Sequence, residues 1–315
     1  MGNINKTTKP LLSICIPTYN RADVLWHCLN SIVQNKSFNE EVEVFISDNA
    51  SSDNTKEVIQ PFVNKFNNII YVQQKENIGG ERNFIYVLEN ANGIFRKLHN
   101  DYSIFTENGL QTLLDHIKKE KTNKNLLYFI NSSDTYKETI NNLNDFIDIV
   151  KLSASWIGAY GFWDKDYINL EKKDDKIATQ FMQVDWFLRL FERKKKCIIC
   201  YGNYTIRYKF NASQGGYNFI KVQHKNYIEM FIPYYQKGMI GLNKIKKLKR
   251  DSYNWLLNWI WDLRIKKNKE FSYTTDKGLE ILFKSCGCYY WFYTDPIKKI
   301  VKHLIYTSTK LFKKS

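Results

Sequence analysis

Leu11-Leu12-Ser13-Ile14-Cys15-Ile16 runs directly into Pro17-Thr18-Tyr19-Asn20-Arg21, and Val42-Glu43-Val44-Phe45-Ile46 runs into Ser47-Asp48-Asn49-Ala50-Ser51-Ser52-Asp53. Each is an apolar run of strand length followed by a polar loop. Near-continuous apolar runs mark strands covered on both faces, as in parallel sheets. Between the two, Val24, Leu25, Cys28, Leu29, Ile32 and Val33 recur at helical spacing and predict a helix over 22–33. Two strands joined through a helix put both polar loops on the same edge of a sheet. In open α/β sheets that carboxyl edge is where ligands bind.

The alternation continues outward from this start. The pattern predicts a helix over 55–66, a strand over 68–73 and a turn at Asn77-Ile78-Gly79-Gly80. Phe84, Val87, Leu88 and Ala91 mark a further helix, which Asn92-Gly93 is expected to close as a C-cap. A short strand over 94–98 ends at His99-Asn100-Asp101, and a helix over 110–119 precedes a strand over 125–130. This order predicts a layered α/β fold with a mostly parallel sheet flanked by helices. Beyond residue 135 the pattern weakens. Residues 156–163 read as a loop or short strand, 182–193 as a helix and 197–208 as one or two strands. From Tyr217 onward the chain reads as helical and basic, so a boundary near Gly215-Gly216 divides it into 1–215 and a helical extension over 216–315.

Bulk composition narrows the function classes. With 43% apolar residues the chain can bury a large core, and only 5 Pro and 14 Gly argue against disorder or a loop-rich all-β fold. The formal net charge of +15 favours anionic partners such as nucleotides, phosphorylated substrates or acidic lipid. Such a charge also suits a nucleic-acid binder, but the basic residues concentrate in the last third, away from the strand-end loops, and no nucleic-acid motif stands out. No nucleic-acid partner is therefore expected. No run of 18 apolar residues exists and no apolar stretch precedes Pro10, so a cytoplasmic protein is expected. Its six cysteines read as free thiols. Cys197-Ile198-Ile199-Cys200 lacks a second pair at zinc-site spacing and reads as core strand.

Four segments carry chemistry. The loop Pro17-Thr18-Tyr19-Asn20-Arg21 can offer backbone groups and a ring to a base, and Asp48-Asn49 can accept from a ribose or a base N–H. Gly79-Gly80 lets a ligand approach the backbone closely, with Arg82 and Asn83 beside a helix start that favours phosphate. Asn100-Asp101 ends a strand, where Asp101 could hold a hard cation bridging a diphosphate. Asp185, within Gln183-Val184-Asp185-Trp186, is a carboxylate near a helix start, as are its rivals Asp164, Asp166, Asp174 and Asp175 in the preceding region.

In this order the segments resemble the inverting family 2 glycosyltransferases of the GT-A fold, the type found in bacterial surface polysaccharide synthesis. The resemblance rests on Ser13 to Arg21, Ser47 to Thr55 and Asn77 to Gly80. It implies a nucleotide-sugar donor, with Pro17, Thr18, Tyr19, Arg21, Asp48 and Asn49 around the nucleoside. Gly80, Arg82, Asn83, Asn100 and Asp101 would lie near the diphosphate. It implies Asp185 as the base that deprotonates a saccharide or lipid-linked saccharide acceptor. It also implies Mg²⁺ or Mn²⁺ at Asp101. The family carries two or three acids at the end of the fourth strand, whereas Asn100-Asp101-Tyr102 keeps one, which counts against a metal. Transfer of a nucleotide-activated phosphoryl-containing group is the alternative reaction.

The C-terminal third joins cations to aromatic and aliphatic residues. Lys244, Lys246, Lys247, Lys249 and Arg250 precede Trp255, Trp259 and Trp261, and Ile297, Ile300, Val301, Leu304 and Ile305 form a helical stripe beside lysines. A basic amphipathic face suits an anionic membrane surface, so peripheral attachment to the inner face of the cytoplasmic membrane is expected.

Overall fold

A computed structural model describes residues 9–208, 214–260 and 271–300. The elements of the first part are β1 (Leu12–Thr18), α1 (Ala22–Val33), β2 (Val42–Asp48), α2 (Thr55–Lys65), β3 (Ile69–Gln73), α3 (Gly80–Asn90) and β4 (Phe95–Leu98). There follow β5 (Ser103–Phe105), α4 (Gly109–Glu120), β6 (Leu126–Asn131), β7 (Tyr136–Ile140) and α5 (Leu143–Val150). Then come β8 (Gly161–Trp163), α6 (Asp164–Ile168), α7 (Met182–Lys194), β9 (Cys197–Gly202) and β10 (Thr205–Arg207). The C-terminal elements are β11 (Gln214–Asn218), α8 (Tyr227–Glu229), α9 (Ile232–Gln236), α10 (Leu242–Ile260), β12 (Phe271–Thr274) and α11 (Gly278–Cys286).

The chain forms two compact units, one built from residues up to 142 and from 156–210, the other from 143–155 and residues after 210. In the first, a five-stranded sheet has the order β3-β2-β1-β4-β8, parallel from β3 to β4 and antiparallel at β8. β1 and β2 are buried along almost their whole length, as their apolar runs predict. A second sheet, β6-β9-β7, and the antiparallel pair β5-β10 complete the unit. Thus the predicted strand over 125–130 exists but hydrogen-bonds β9 instead of joining the first sheet, and an isolated antiparallel bridge links its Tyr128 to Tyr160, the residue before β8.

The chain leaves β1 for β2 and β3 on one side, then returns to place β4 on the other. The carboxyl ends of β1 and β4 therefore flank the point where strand order reverses, the crevice in which open α/β sheets hold ligands.

One expectation about α3 is corrected. Asn92-Gly93 does not cap it. Ala91 leaves the helix in an extended conformation, and Arg96 takes the orphan carbonyls of the last turn, with Nη1 2.5 Å from Leu88 O and 3.2 Å from Glu89 O. Gly93 is required for a different reason: a Cβ there would lie 2.4 Å from the Ser13 nitrogen. The glycine lets this loop press against β1, where its N–H donates to Ser13 Oγ at 2.6 Å. Buried Glu43 secures the same junction, accepting from Ser13 Oγ at 2.7 Å and from the Asn92 N–H and side chain at 2.8 Å each.

In the second unit, Phe219, Ile220, Tyr253, Leu256, Leu282, Cys286 and Trp291 form the core. The tryptophans of α10 belong to this packing: the Trp255 and Trp259 rings lie 5.3 and 5.2 Å from Phe219. The predicted basic cluster is largely committed within the unit as well. Lys244 and Lys247 pair with Asp148, Lys249 donates to Ser285 O at 3.0 Å, and Arg250 grips Asp295 through two 3.0 Å bonds. The chain is helical over 290–300. Trp261, Val301, Leu304 and Ile305 lie outside the described residues.

Candidate active site

The two strand-end loops predicted to share an edge are laced together. Asn20 and Ala50 both adopt left-handed φ, 49° and 62°, which turns each loop sharply at the strand end. The Asn20 N–H donates to Ser51 Oγ and the Ser52 N–H to Asn20 Oδ1, both at 2.8 Å. Asp53 joins the helix starts that follow, accepting from the Ala22 N–H at 3.1 Å and from Thr55 Oγ1 at 2.5 Å.

At the reversal point, Asp101 lies between the β1 and β4 ends. It accepts from Thr18 Oγ1 at 3.0 Å and pairs with Arg21 Nη1 at 3.3 Å. Burial pushes its pKa up, and Arg21 and Thr18 oppose that shift. Next to it, Asn100 is 7% exposed, and its Nδ2 is a buried donor without a hydrogen-bond partner among the described residues. A buried amide donor left unpaired costs free energy, and an acceptor placed there would relieve that cost. Tyr102 receives two guanidinium groups: Arg21 lies 5.6 Å and Arg207 5.4 Å from its ring centroid. Arg207 arrives there because β10 pairs with β5 in the register Arg207↔Ser103, and the Tyr208 N–H donates to Tyr102 O at 2.9 Å.

The other expected residues divide into open and engaged. Pro17 is the last residue but one of β1, and Tyr19, just past the strand, is 44% exposed. Asp48 is fully buried, with Oδ1 accepting from the Ser51 N–H at 2.9 Å and Oδ2 from Tyr71 Oη at 2.7 Å. Asn49 holds the next turn, donating to Asn77 Oδ1 at 2.8 Å and accepting from the Ile78 N–H at 2.9 Å. Gly79, at φ 89°, then starts α3, and a Cβ on Gly80 would meet nothing within 4 Å. Asn83 spends its amide on Ser47, accepting from Oγ at 2.5 Å and donating to the carbonyl at 2.9 Å. Arg82 lines a groove of about 520 Å³ with Tyr86, Glu89, Leu170, Lys172 and Asp174, and none of the β1, β2 or β4 strand-end residues lines it.

Asp185 sits in the first turn of α7, its carboxylate 2.9 Å from Arg189 Nε. Burial raises its pKa, while Arg189 and Lys176 pull it down. Arg189 also donates to Glu171 O at 2.8 Å, tying the preceding loop to the helix. Of the rival carboxylates, Asp164 pairs with Lys9 and Asp166 with Lys194, each at 2.7 Å.

A divalent cation does not fit the β4 tip as it stands. Asp101 supplies a single carboxylate, already paired with a guanidinium, and a second guanidinium faces the adjacent tyrosine. Among the described residues no group of three or more His, Cys, Asp or Glu could hold a metal ion.

Residues 13–146 match the family model of glycosyl transferase family 2. The chain is 48% identical over 84 residues to abequosyltransferase RfbV of Salmonella typhimurium, covering 26% of this chain and 25% of that protein. It is 34% identical over 106 residues to a GalNAc(5)-diNAcBac-PP-undecaprenol beta-1,3-glucosyltransferase of Campylobacter jejuni, covering 33% and 34%. The matches thus span about a quarter to a third of these relatives. In fold the chain is similar to S. aureus TarS in complex with UDP-GlcNAc, with TM-score 0.58, 15% identity and coverage of 88% and 79%. A mannosyltransferase of Pyrobaculum calidifontis in complex with GDP-Man and Mn²⁺ gives TM-score 0.50 at 14% identity, covering 92% and 84%. The fold is the expected GT-A type, a mostly parallel sheet flanked by helices with helices at the C-terminal end.

Proposed function

We propose that the chain is an inverting glycosyltransferase that moves a sugar from a nucleotide-sugar donor to a saccharide or lipid-linked saccharide in bacterial surface polysaccharide synthesis. The observation that carries this reading is the unpaired, buried Asn100 amide at the reversal point of a segment that matches the family 2 model. The nucleoside lies on the loop Pro17 to Arg21, where the open Tyr19 ring can stack on a base. Asp48 and Asn49 act through the loops they hold, and Asn83 by fixing α3 to β2. Asn100 donates to the donor's phosphate oxygens, with Gly80 on the α3 side, while Arg82 faces the neighbouring groove along α3. Asp185 takes the acceptor hydroxyl proton as the oxygen attacks the anomeric carbon, and its raised pKa makes it a stronger base than an exposed aspartate. The similarity to an abequosyltransferase and to an undecaprenol-linked glucosyltransferase supports the polysaccharide setting.

We place the enzyme at the inner face of the cytoplasmic membrane. Its contact is the face formed by Leu279 and Phe283 on α11 with Tyr290, Tyr293, Ile297 and Ile300, all 46–78% exposed. The last four recur at intervals of three and four residues, one stripe of a helix. The Phe283 and Tyr293 rings both pack against Phe292, which makes the two helices one surface, and Lys284 and Lys298 flank it. Among the described residues no helix is long and apolar enough to cross a membrane.

A thermal-shift screen of UDP, GDP, CDP and dTDP tests the donor site. One of them should raise the melting temperature more than its nucleoside does; no response to any of the four would contradict the reading.

A further inference from the structure

We infer that Arg207 binds the diphosphate of the donor and, with Arg21, neutralises the leaving group where a divalent cation would otherwise act. The inference rests on the donor site proposed above and names a residue outside the family segment at 13–146. Arg207 and Arg21 both face the Tyr102 ring, at 5.4 and 5.6 Å from its centroid. The ring holds the two guanidinium groups by cation–π attraction and keeps them near the β4 tip. Arg21 has Asp101 as counter-ion, whereas among the described residues Arg207 has no carboxylate partner. One positive charge is therefore left over at the Tyr102 ring, two positions along the chain from the unpaired Asn100 donor, and a guanidinium fork matches phosphate oxygens. A cation on Asp101 would have to displace Arg21 and sit among like charges.

In the transfer step, the acceptor oxygen bonds to the anomeric carbon as the bond from that carbon to the phosphate oxygen breaks. The electron pair leaves with the diphosphate, the hydroxyl proton goes to Asp185, and the added negative charge forms beside Arg207.

Calorimetric titration of the full chain with UDP, GDP, CDP and dTDP and their nucleosides, in EDTA and then with MnCl₂, tests this. One diphosphate should bind in EDTA within about threefold of its affinity with Mn²⁺. Arg207→Ala should weaken that diphosphate by about 10- to 100-fold, the range for a lost charged hydrogen bond, and leave the nucleoside unchanged. Arg207→Lys keeps the charge without the fork and should recover part of the loss. A diphosphate that binds wild type only with Mn²⁺, or binds Arg207→Ala as tightly as wild type, would overturn the inference while leaving the donor site standing. If neither nucleosides nor diphosphates bind wild type under any condition, the donor site itself is wrong, and the inference falls with it.

Discussion

Asp185 is a carboxylate under opposing influences, burial raising its pKa and the Arg189 guanidinium at 2.9 Å lowering it. Burial prevails, so the proton leaves at higher pH than from an exposed aspartate. As a general base the group works ionised, so kcat should fall as pH drops through that raised value. Arg189→Met removes the main opposing cation, and the acid limb of the pH–rate profile should move to higher pH; an unmoved limb would assign the base elsewhere. Asp185→Asn should cost about 10²- to 10⁴-fold in kcat. It should not lower the melting temperature much, because the ionised form is the one that burial penalises. Asp185 was legible in the sequence as an acid near a helix start. Arg207 was not: it lies far along the chain on a three-residue strand with no motif around it, and only the β5–β10 register brings it to Tyr102. The orphaned amide of Asn100 was equally hidden, since whether a donor is satisfied depends on neighbours from distant elements.

At the scale of elements, the junction of α3, β4 and β1 shows how a glycine is chosen by packing. Gly93→Ala would drive a Cβ to 2.4 Å from the Ser13 nitrogen and 2.5 Å from its Oγ. Overpacking of this kind costs about 1–3 kcal/mol, to be read from urea unfolding with the slope unchanged. A variant as stable as wild type would show that the loop retreats freely. The same junction marks the reach of sequence reading. The helix over 22–33 and the strand and helix order to residue 130, apart from the three-residue β5, were legible because their hydrophobic periods are strong and local. The end of α3 was misread because Asn-Gly is a common cap signal, while the Arg96 side chain that does the capping comes from the next strand. The strand at 126–131 was found but not its sheet, since pairing depends on contacts that no local period records.

At the scale of the whole molecule, the net charge of +15 meets a membrane reading only in part. Lys244, Lys247, Lys249 and Arg250 are engaged inside their own unit, so attraction to anionic lipid falls to the lysines beside the exposed Leu279 to Ile300 face. The full chain should therefore sediment with phosphatidylglycerol vesicles more than with phosphatidylcholine vesicles, and less as salt rises. Leu279→Ser/Phe283→Ser should weaken that binding; equal sedimentation of variant and wild type would move the contact elsewhere. The chemistry is a separate question from the surface, and the mass of the product decides it. Wild type incubated with a panel of nucleotide sugars and a bacterial envelope extract should yield an acceptor heavier by one sugar residue, with release of a nucleoside diphosphate and no product from Asp185→Asn. An acceptor that gains a phosphoryl-containing mass, or a panel in which no nucleotide sugar is consumed, would contradict glycosyl transfer.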